Sequence, residues 1–223
     1  MAAIIPAYEA GRTIGTVVAD ARGHCARIVV VDDGSNDDTA ARAASAGAEV
    51  LRHAVNAGKG AAIVTGLKAL ARDGVPRGLT LDADGQHLGS EIPALLAASD
   101  AAPRAIVVGV RKKEGHPIRF INRLGNWVAD RALRLVAGRP IPDTQSGFRV
   151  YPVAATLGLG AQSTRYDFET EVLLRAARRG VDLVGVPVAV YYPPVAERVS
   201  HYRPAKDTLR IIRTVVRVLL RRR

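Results

Sequence analysis

Two aspartates one residue apart, Asp82-Ala83-Asp84, directly follow the apolar stretch Gly78-Leu-Thr-Leu81. In extended backbone, side chains two positions apart leave the same face, so both carboxylates can meet one hard cation through oxygen, and Gln86 continues the alternation. Taken alone, this string with Gly85 is also an ordinary polar turn, and His87 reads as a turn residue. Its place behind a strand, with a second acidic pair at another strand end, favours metal binding by Asp82, Asp84 and Gln86. That second pair, Asp32-Asp33, follows Arg27–Val31. A capped turn led by Ser35 or Asn36 accounts for it, and so does a ligand, because a carboxylate there accepts from the imide N–H of uracil or guanine or from ribose hydroxyls. Asn56-Ala-Gly58-Lys59-Gly60 opens a helical stretch, where bare amides and the Lys59 ammonium suit an anion, although a tight turn needs the same glycines. The G-x-x-x-x-G-K-[ST] spacing of a phosphate-binding P-loop is absent.

Carboxylates gathered at one sheet edge repel one another unless cations or donors compensate, and that cost suggests a site. The elements that position them are short β-branched runs alternating with segments of helical period, the pattern of a mainly parallel sheet covered by helices. Strands are predicted at Ala3–Pro6, Arg27–Val31, Ala48–Arg52, Gly78–Leu81, Ala105–Val110 and near Val181–Val190. Helices are predicted at about Thr13–Arg22, Asp37–Ala46, Ser90–Ala98, Arg119–Ala137 and Tyr166–Arg179. Another follows Gly60, with Ile63, Leu67 and Leu70 on one face and a close at Asp73-Gly74. In such α/β sheets, ligands sit beyond the carboxyl ends of the strands, where both acidic pairs lie.

The 223 residues, 48% hydrophobic and 24% charged, suffice for one sizeable core and exclude a disordered or fibrous chain. The net charge is +11, but nine basic residues and one acid between Arg198 and Arg223 supply +8 of it. A basic C-terminal appendage, rather than nucleic-acid binding across the domain, is what this charge describes. Cys25 is the only cysteine, which excludes an intramolecular disulfide and multi-cysteine zinc, and the cytosol is the default compartment. Ala2–Ile5 is too short for a signal-peptide core, and no apolar run reaches the length of a membrane span. The expected organisation is a domain over 1–190 and a Pro-marked joint with a helical tail over 191–223.

Ile4-Ile5-Pro6-Ala7-Tyr8, Val30-Val31-Asp32-Asp33-Gly34-Ser35, Gly58-Lys59-Gly60 and Asp82-Ala83-Asp84-Gly85-Gln86, in this order, resemble the family 2 glycosyltransferases. Asp143-Thr-Gln-Ser-Gly-Phe-Arg149, followed by Tyr166-Asp-Phe-Glu169-Thr-Glu171, resembles the dolichyl- or polyprenyl-phosphate sugar synthase branch. The resemblance spans roughly residues 3–190. It implies a GT-A fold, a Rossmann-like α/β domain, binding a UDP- or GDP-linked sugar with base and ribose near Pro6, Tyr8 and Asp32 or Asp33. It places Asp82, Ala83, Asp84 and Gln86 around Mg²⁺ or Mn²⁺ and the diphosphate, Arg111 and Arg123 at the acceptor phosphate, and Asp143 near the reacting centre. The usual Y-N-E after the first proline reads Tyr8-Glu9-Ala10 here, and the first strand begins so near Met1 that a shortened N-terminus is implied. Read from the residues alone, Arg119, Arg123, Arg131 and Arg134 also fit a solvated helix face, Phe120 and Trp127 fit core, and Glu169 and Glu171 fit the acidic start of any helix.

In the tail, Arg210, Arg213, Arg217 and Arg221 form one stripe on an otherwise apolar helix, Leu209–Leu220. That pattern fits an interfacial helix on an anionic membrane surface, with docking on the domain as the plain alternative. The functional expectation is an inverting transfer of sugar to a lipid acceptor, a polyprenyl phosphate, by an enzyme peripheral on the inner face of the cell membrane and without nucleic-acid partners. A phosphate acceptor needs no strong base; a hydroxyl acceptor, on lipid or glycan, does, and Asp143 is then the candidate. A nucleotide-sugar pyrophosphorylase and a non-catalytic tethered protein are the remaining classes.

Overall fold

β-Branched runs with no polar break become buried strands, and here both faces of them are apolar. In the computed structural model, which describes residues 1–111, 141–192 and 204–220, the first strand, β1 (Ala2–Ala7), is buried along its whole length. Ala2 and Ile4 join one apolar cluster and Ala3, Ile5 and Ala7 a second, which is the period-2 alternation of a sheet covered on both sides. Strands β2 (Arg27–Asp32), β3 (Glu49–Arg52), β4 (Arg77–Thr80), β5 (Ile106–Arg111), β6 (Arg149–Pro152) and β7 (Leu183–Val188) complete the sheet among the described residues. Its order is β3-β2-β1-β4-β6-β5-β7. All neighbours are parallel except β6, which runs antiparallel to β4 and β5.

The helices are α1 (Ile14–Arg22), α2 (Thr39–Ser45), α3 (Lys59–Arg72), α4 (Ile92–Ala101), α5 (Val153–Gly158), α6 (Asp167–Arg178) and α7 (Pro204–Leu220). Helix α3 buries Ile63, Gly66, Leu67 and Leu70 at helical spacing against the β1 face carrying Ile4. A Cβ at Gly66 would stand 2.4 Å from Ile4 Cγ2, so glycine sets the helix-to-sheet distance. Each buried leucine or isoleucine contributes roughly 1.5–3 kcal/mol. Gly74, at φ +68°, ends the α3 segment in the left-handed region, as the Asp73-Gly74 pair leads one to expect.

The α/β, Rossmann-like class and the order of the expected elements hold, with boundaries shifted by at most three residues except at the tail helix, which starts at Pro204 rather than Leu209. Strand β6 and helix α5 were not foreseen, because Arg149-Val-Tyr-Pro152 is short, starts on a charge and ends on proline. The expected helix over Arg119–Ala137 lies outside the described residues, as do Arg123, Phe120 and Trp127. Among the described residues, no helix is long and apolar enough to cross a membrane.

The arginine stripe of the tail is partly spent inside the protein. Arg217 donates to Glu171 at 3.0 Å and to Ser163 Oγ at 2.7 Å, Thr214 Oγ1 donates to Asp167 at 2.7 Å, and Arg178 donates to the Val218 carbonyl. Asp207, Thr214 and Val218 are buried against the domain, whereas Leu209, Ile212, Val216, Leu219 and Leu220 are exposed. One face of α7 thus docks on α6, where the buried Glu171 carboxylate draws Arg217 as a counter-ion, while much of the helix's apolar surface stays exposed.

Candidate active site

A parallel sheet delivers the residues after β1, β2 and β4 to one edge, and sequence order runs outward from β1 in both directions there. The antiparallel β6 brings the residues before it, Asp143–Phe148, to that same edge. The start of α3 arrives there as well.

Pro6 is buried in β1, and half-buried Tyr8 follows it. Glu9 has φ +51°, a region where Asn is tolerated better than Glu, and its amide donates to Ser35 Oγ at 2.9 Å. Its carboxylate accepts from the Asn36 amide at 2.8 Å, which ties the β1 turn to the β2 turn. Asp32 and Asp33 are both buried. Asp32 Oδ1 accepts from the Ser35 amide at 3.0 Å, and Oδ2 lies 3.1 Å from Arg52 Nε without forming a hydrogen bond. Asp33 accepts from His53 Nδ1 at 2.7 Å and from the amides of Ala57 at 2.9 Å and Gly58 at 2.7 Å. It thereby anchors the loop that presents Lys59, and His53 in turn meets Thr65 Oγ1 at 2.9 Å.

Lys59 Nζ lies 2.6 Å from Asp82 Oδ1 and 3.2 Å from Glu169. Burial works against its charge, but Asp82 and Glu169 hold the ammonium well above the ordinary lysine range. Burial also opposes the Asp82 charge, yet Lys59 keeps that carboxyl below its usual value. Among the described residues Asp84 has no ion-pair partner at such a distance: burial and then repulsion from Asp82 push it up to about 6. Its Oδ1 accepts from the Gln86 amide at 3.0 Å, and the Gln86 carbonyl accepts from the Tyr191 amide at 2.9 Å. His87, stacked on Phe148, accepts the Asp82 amide hydrogen at Nδ1. Burial lowers its pKa to about 4, so at neutral pH the ring is uncharged with its proton on Nε2.

Arg111, at the end of β5, grips Asp143 through two parallel bonds of 2.7 and 2.9 Å. Burial works against the Asp143 charge, but Arg111 and the Gln145 amide together hold its pKa below the ordinary value, so the carboxyl stays ionised. The loop carrying Asp143 is held from behind by Arg149, which is fully buried. Its guanidinium donates to the carbonyls of Thr144 at 2.9 Å, Ser146 at 2.7 Å and Glu169 at 2.8 Å, and to Tyr151 Oη at 3.3 Å.

Lys59, Asp82, Asp84 and the Arg111–Asp143 pair therefore share the carboxyl edge, while Asp32 and Asp33 act within its walls. Sequence reasoning gave no role to His87, Arg149 or Gly147. Gly147 is the tightest of these: a Cβ would stand 2.6 Å from Asp82 Oδ1 and 2.7 Å from Lys59 Nζ. Gly147→Ala is expected to force the ion pair apart at little cost in stability, since only the ends of two side chains must move, and to cost about 10²-fold in turnover. Thermal unfolding and product release measure the two effects, and wild-type turnover would show that the pair's geometry is not used.

Three comparisons bear on this arrangement. The family model for glycosyl transferase family 2 matches residues 2–157. The chain is 30% identical over 197 residues to uncharacterized protein MJ1222 of Methanocaldococcus jannaschii, covering 85% of this chain and 80% of that protein. It is 29% identical over 209 residues to glycosyltransferase AglJ of Haloferax volcanii, covering 92% and 67%. Glucosyl-3-phosphoglycerate synthase from Mycobacterium tuberculosis, solved with Mn²⁺, uridine diphosphate and phosphoglyceric acid, superposes with a TM-score of 0.74 at 22% identity, over 98% of this chain and 76% of that one. The fold is accordingly GT-A, a single Rossmann-like α/β domain. The expected polyprenyl-phosphate acceptor is corrected by this match: the molecule present together with uridine diphosphate in that structure is phosphoglyceric acid, a small phosphorylated acid and not a lipid.

Proposed function

The chain belongs to glycosyl transferase family 2, and from that premise we propose that it transfers a sugar from a uridine-diphosphate donor, with Mn²⁺ or Mg²⁺, to a hydroxyl group on a small anionic acceptor. The observation that carries this reading is the juxtaposition, at one sheet edge, of the Asp82/Asp84 pair with the Arg111–Asp143 pair. The catalytic unit is residues 1–190, with 191–223 as an appendage whose helix α7 is braced on α6.

Asp82 and Asp84, with Gln86 beside them, are the metal-holding residues. The donor set fits: two hard carboxylates, one of them with its charge left uncompensated. Among the described residues no group of three His, Cys, Asp or Glu forms a metal site, so the protein would offer the ion only this carboxylate pair and Gln86. Such an ion supplies neutralisation of the diphosphate leaving group. Pro6 and Tyr8 border the nucleoside, with the turn shaped from behind by Asp32 and Asp33, and the Lys59 ammonium faces the diphosphate.

Asp143 takes the proton of the acceptor hydroxyl. While Arg111 holds it, it is a weak base; an anionic acceptor competes for that guanidinium and restores the carboxylate's basicity. Acceptors bearing phosphate or carboxylate are thus favoured over neutral ones. The test is release of uridine diphosphate from UDP-sugars with Mn²⁺, across phosphorylated hydroxy acids and neutral sugars. Release is expected to rise above hydrolysis only with an anionic hydroxyl acceptor, and Asp143→Asn is expected to lower kcat about 10²- to 10⁴-fold with donor KM little changed. Release indifferent to every acceptor, or equal loss of donor binding in the variant, would overturn the assignment.

A further inference from the structure

One ammonium serves two carboxylates at this site. Lys59 Nζ is 2.6 Å from Asp82 Oδ1, and it donates to Glu169 Oε2 at 3.2 Å. Glu169 Oε1 stands at the same 3.2 Å, buried and, among the described residues, without a hydrogen-bond partner. The two carboxylates differ in access: the side chain of Asp82 is 27% exposed, that of Glu169 only 5%. Resting on the reading of Asp82 as a metal-holding residue, we propose that Lys59 is a tethered cation filling the charge position of the divalent ion, and that Glu169 is the positioning carboxylate that receives the ammonium when the ion binds.

The argument is one of space and charge. A divalent ion bonds carboxylate oxygen at about 2.0–2.6 Å, so it cannot share Asp82 Oδ1 with an ammonium 2.6 Å away without strong like-charge repulsion. Lysine carries its charge on a flexible four-carbon stem and can swing, whereas a guanidinium in a fixed fork could not do so freely. The swing has a destination, because Glu169 already holds Nζ by one oxygen and has a second to offer. A buried charge that changes partners without losing one avoids the penalty of an unpaired buried ion. Gly147 leaves no side chain on the side where the two groups meet. The consequence is that metal binding to the ligand-free enzyme is opposed by Lys59 and assisted by Glu169.

Binding of Mn²⁺ alone to the full chain, followed by the electron paramagnetic resonance signal of free Mn²⁺, separates these roles without any assay of turnover. Lys59→Met is expected to bind Mn²⁺ about tenfold more tightly than wild type, since the competitor is gone. Glu169→Gln is expected to bind it about five- to tenfold more weakly, since the displaced ammonium has no counter-charge to receive it. In the double variant, affinity is expected to match Lys59→Met, because Glu169 acts only through Lys59. Unchanged affinity in Glu169→Gln overturns the relay, and so does a double variant that falls back to the Glu169→Gln value. Should Lys59→Met fail to fold, the nearly isosteric Glu169→Gln decides by itself. An Asp82→Asn control keeps the premise apart from the proposal. If it binds Mn²⁺ like wild type, the metal assignment has failed and the relay with it; if it loses Mn²⁺ while Glu169→Gln is unaffected, the assignment stands and only the relay is overturned.

Discussion

Replacing Asp84 with Asn is expected to cut sugar transfer about 10²- to 10⁴-fold and to abolish the rise in melting temperature that Mn²⁺ with uridine diphosphate confers, while leaving the ligand-free protein slightly more stable than wild type. The first two effects follow from losing a hard anionic ligand: several kcal/mol of leaving-group stabilisation correspond to a tenfold loss of rate for every 1.36 kcal/mol or so. The third follows from linkage. The folded-state pKa of Asp84, about 6, is above its ordinary value of 3.8, so the folded protein binds this proton more tightly than the unfolded chain does. Stability therefore falls as pH rises from 3.8 to about 6, and above that the full penalty of an ionised, repelled carboxylate is present. Asparagine removes it, and its Oδ1 still accepts from the Gln86 amide. The gain is on the order of 1 kcal/mol at pH 7, with partial exposure discounted, and vanishes near pH 4. Melting curves at the two pH values, with and without ligands, test all three points. Retained Mn²⁺-dependent transfer would remove Asp84 from the metal set.

Arg149→Met is expected to be the most destabilising single change in the candidate site. The side chain is fully buried and its four hydrogen bonds end on the Thr144, Ser146 and Glu169 carbonyls and the Tyr151 hydroxyl. Methionine fills much of the volume but strands three carbonyls, each worth about 1–3 kcal/mol when left unsatisfied. Some relaxation is inevitable, so the net loss is expected near 3–5 kcal/mol, or about 10 °C in melting temperature for a chain of this size. Lysine does not rescue it, because one ammonium cannot reproduce the guanidinium fork. Turnover falls as well, since the same guanidinium holds both the loop that carries Asp143 and the start of the helix that carries Glu169. Denaturant unfolding gives the stability change, and a loss below about 1 kcal/mol would mean that water reaches those carbonyls.

Much of the fold is readable from local signals. Val29-Val30-Val31 followed by Asp32, and Leu79-Thr80-Leu81 followed by Asp82, announce strand ends, because apolar runs end where charge begins. Strand β6 is not readable in this way: Arg149 looks like a surface residue until its carbonyl partners, between 3 and 20 residues distant, are in place. Asp32 and Asp33 show a different limit. Two adjacent carboxylates fit a ligand or a capped turn, and only the folded chain shows that Ser35, His53, Ala57 and Gly58 supply donors to them. The tail shows a third case, since an amphipathic pattern states that an apolar face must be covered without stating by what.

By itself the sequence determined the α/β class, the order of most elements, the family and the sheet edge where carboxylates collect, because each depends on periodicity, strand ends and motifs contiguous in the chain. Tertiary structure alone decided which of those charges meet. Lys59 and Glu169 are 110 positions apart and Arg111 and Asp143 are 32 apart, and no local propensity encodes such pairings. The physical reason is the insertion of β6 against the direction of its neighbours, which reverses the chain and delivers Asp143 and Gly147 to the edge where parallel strands end.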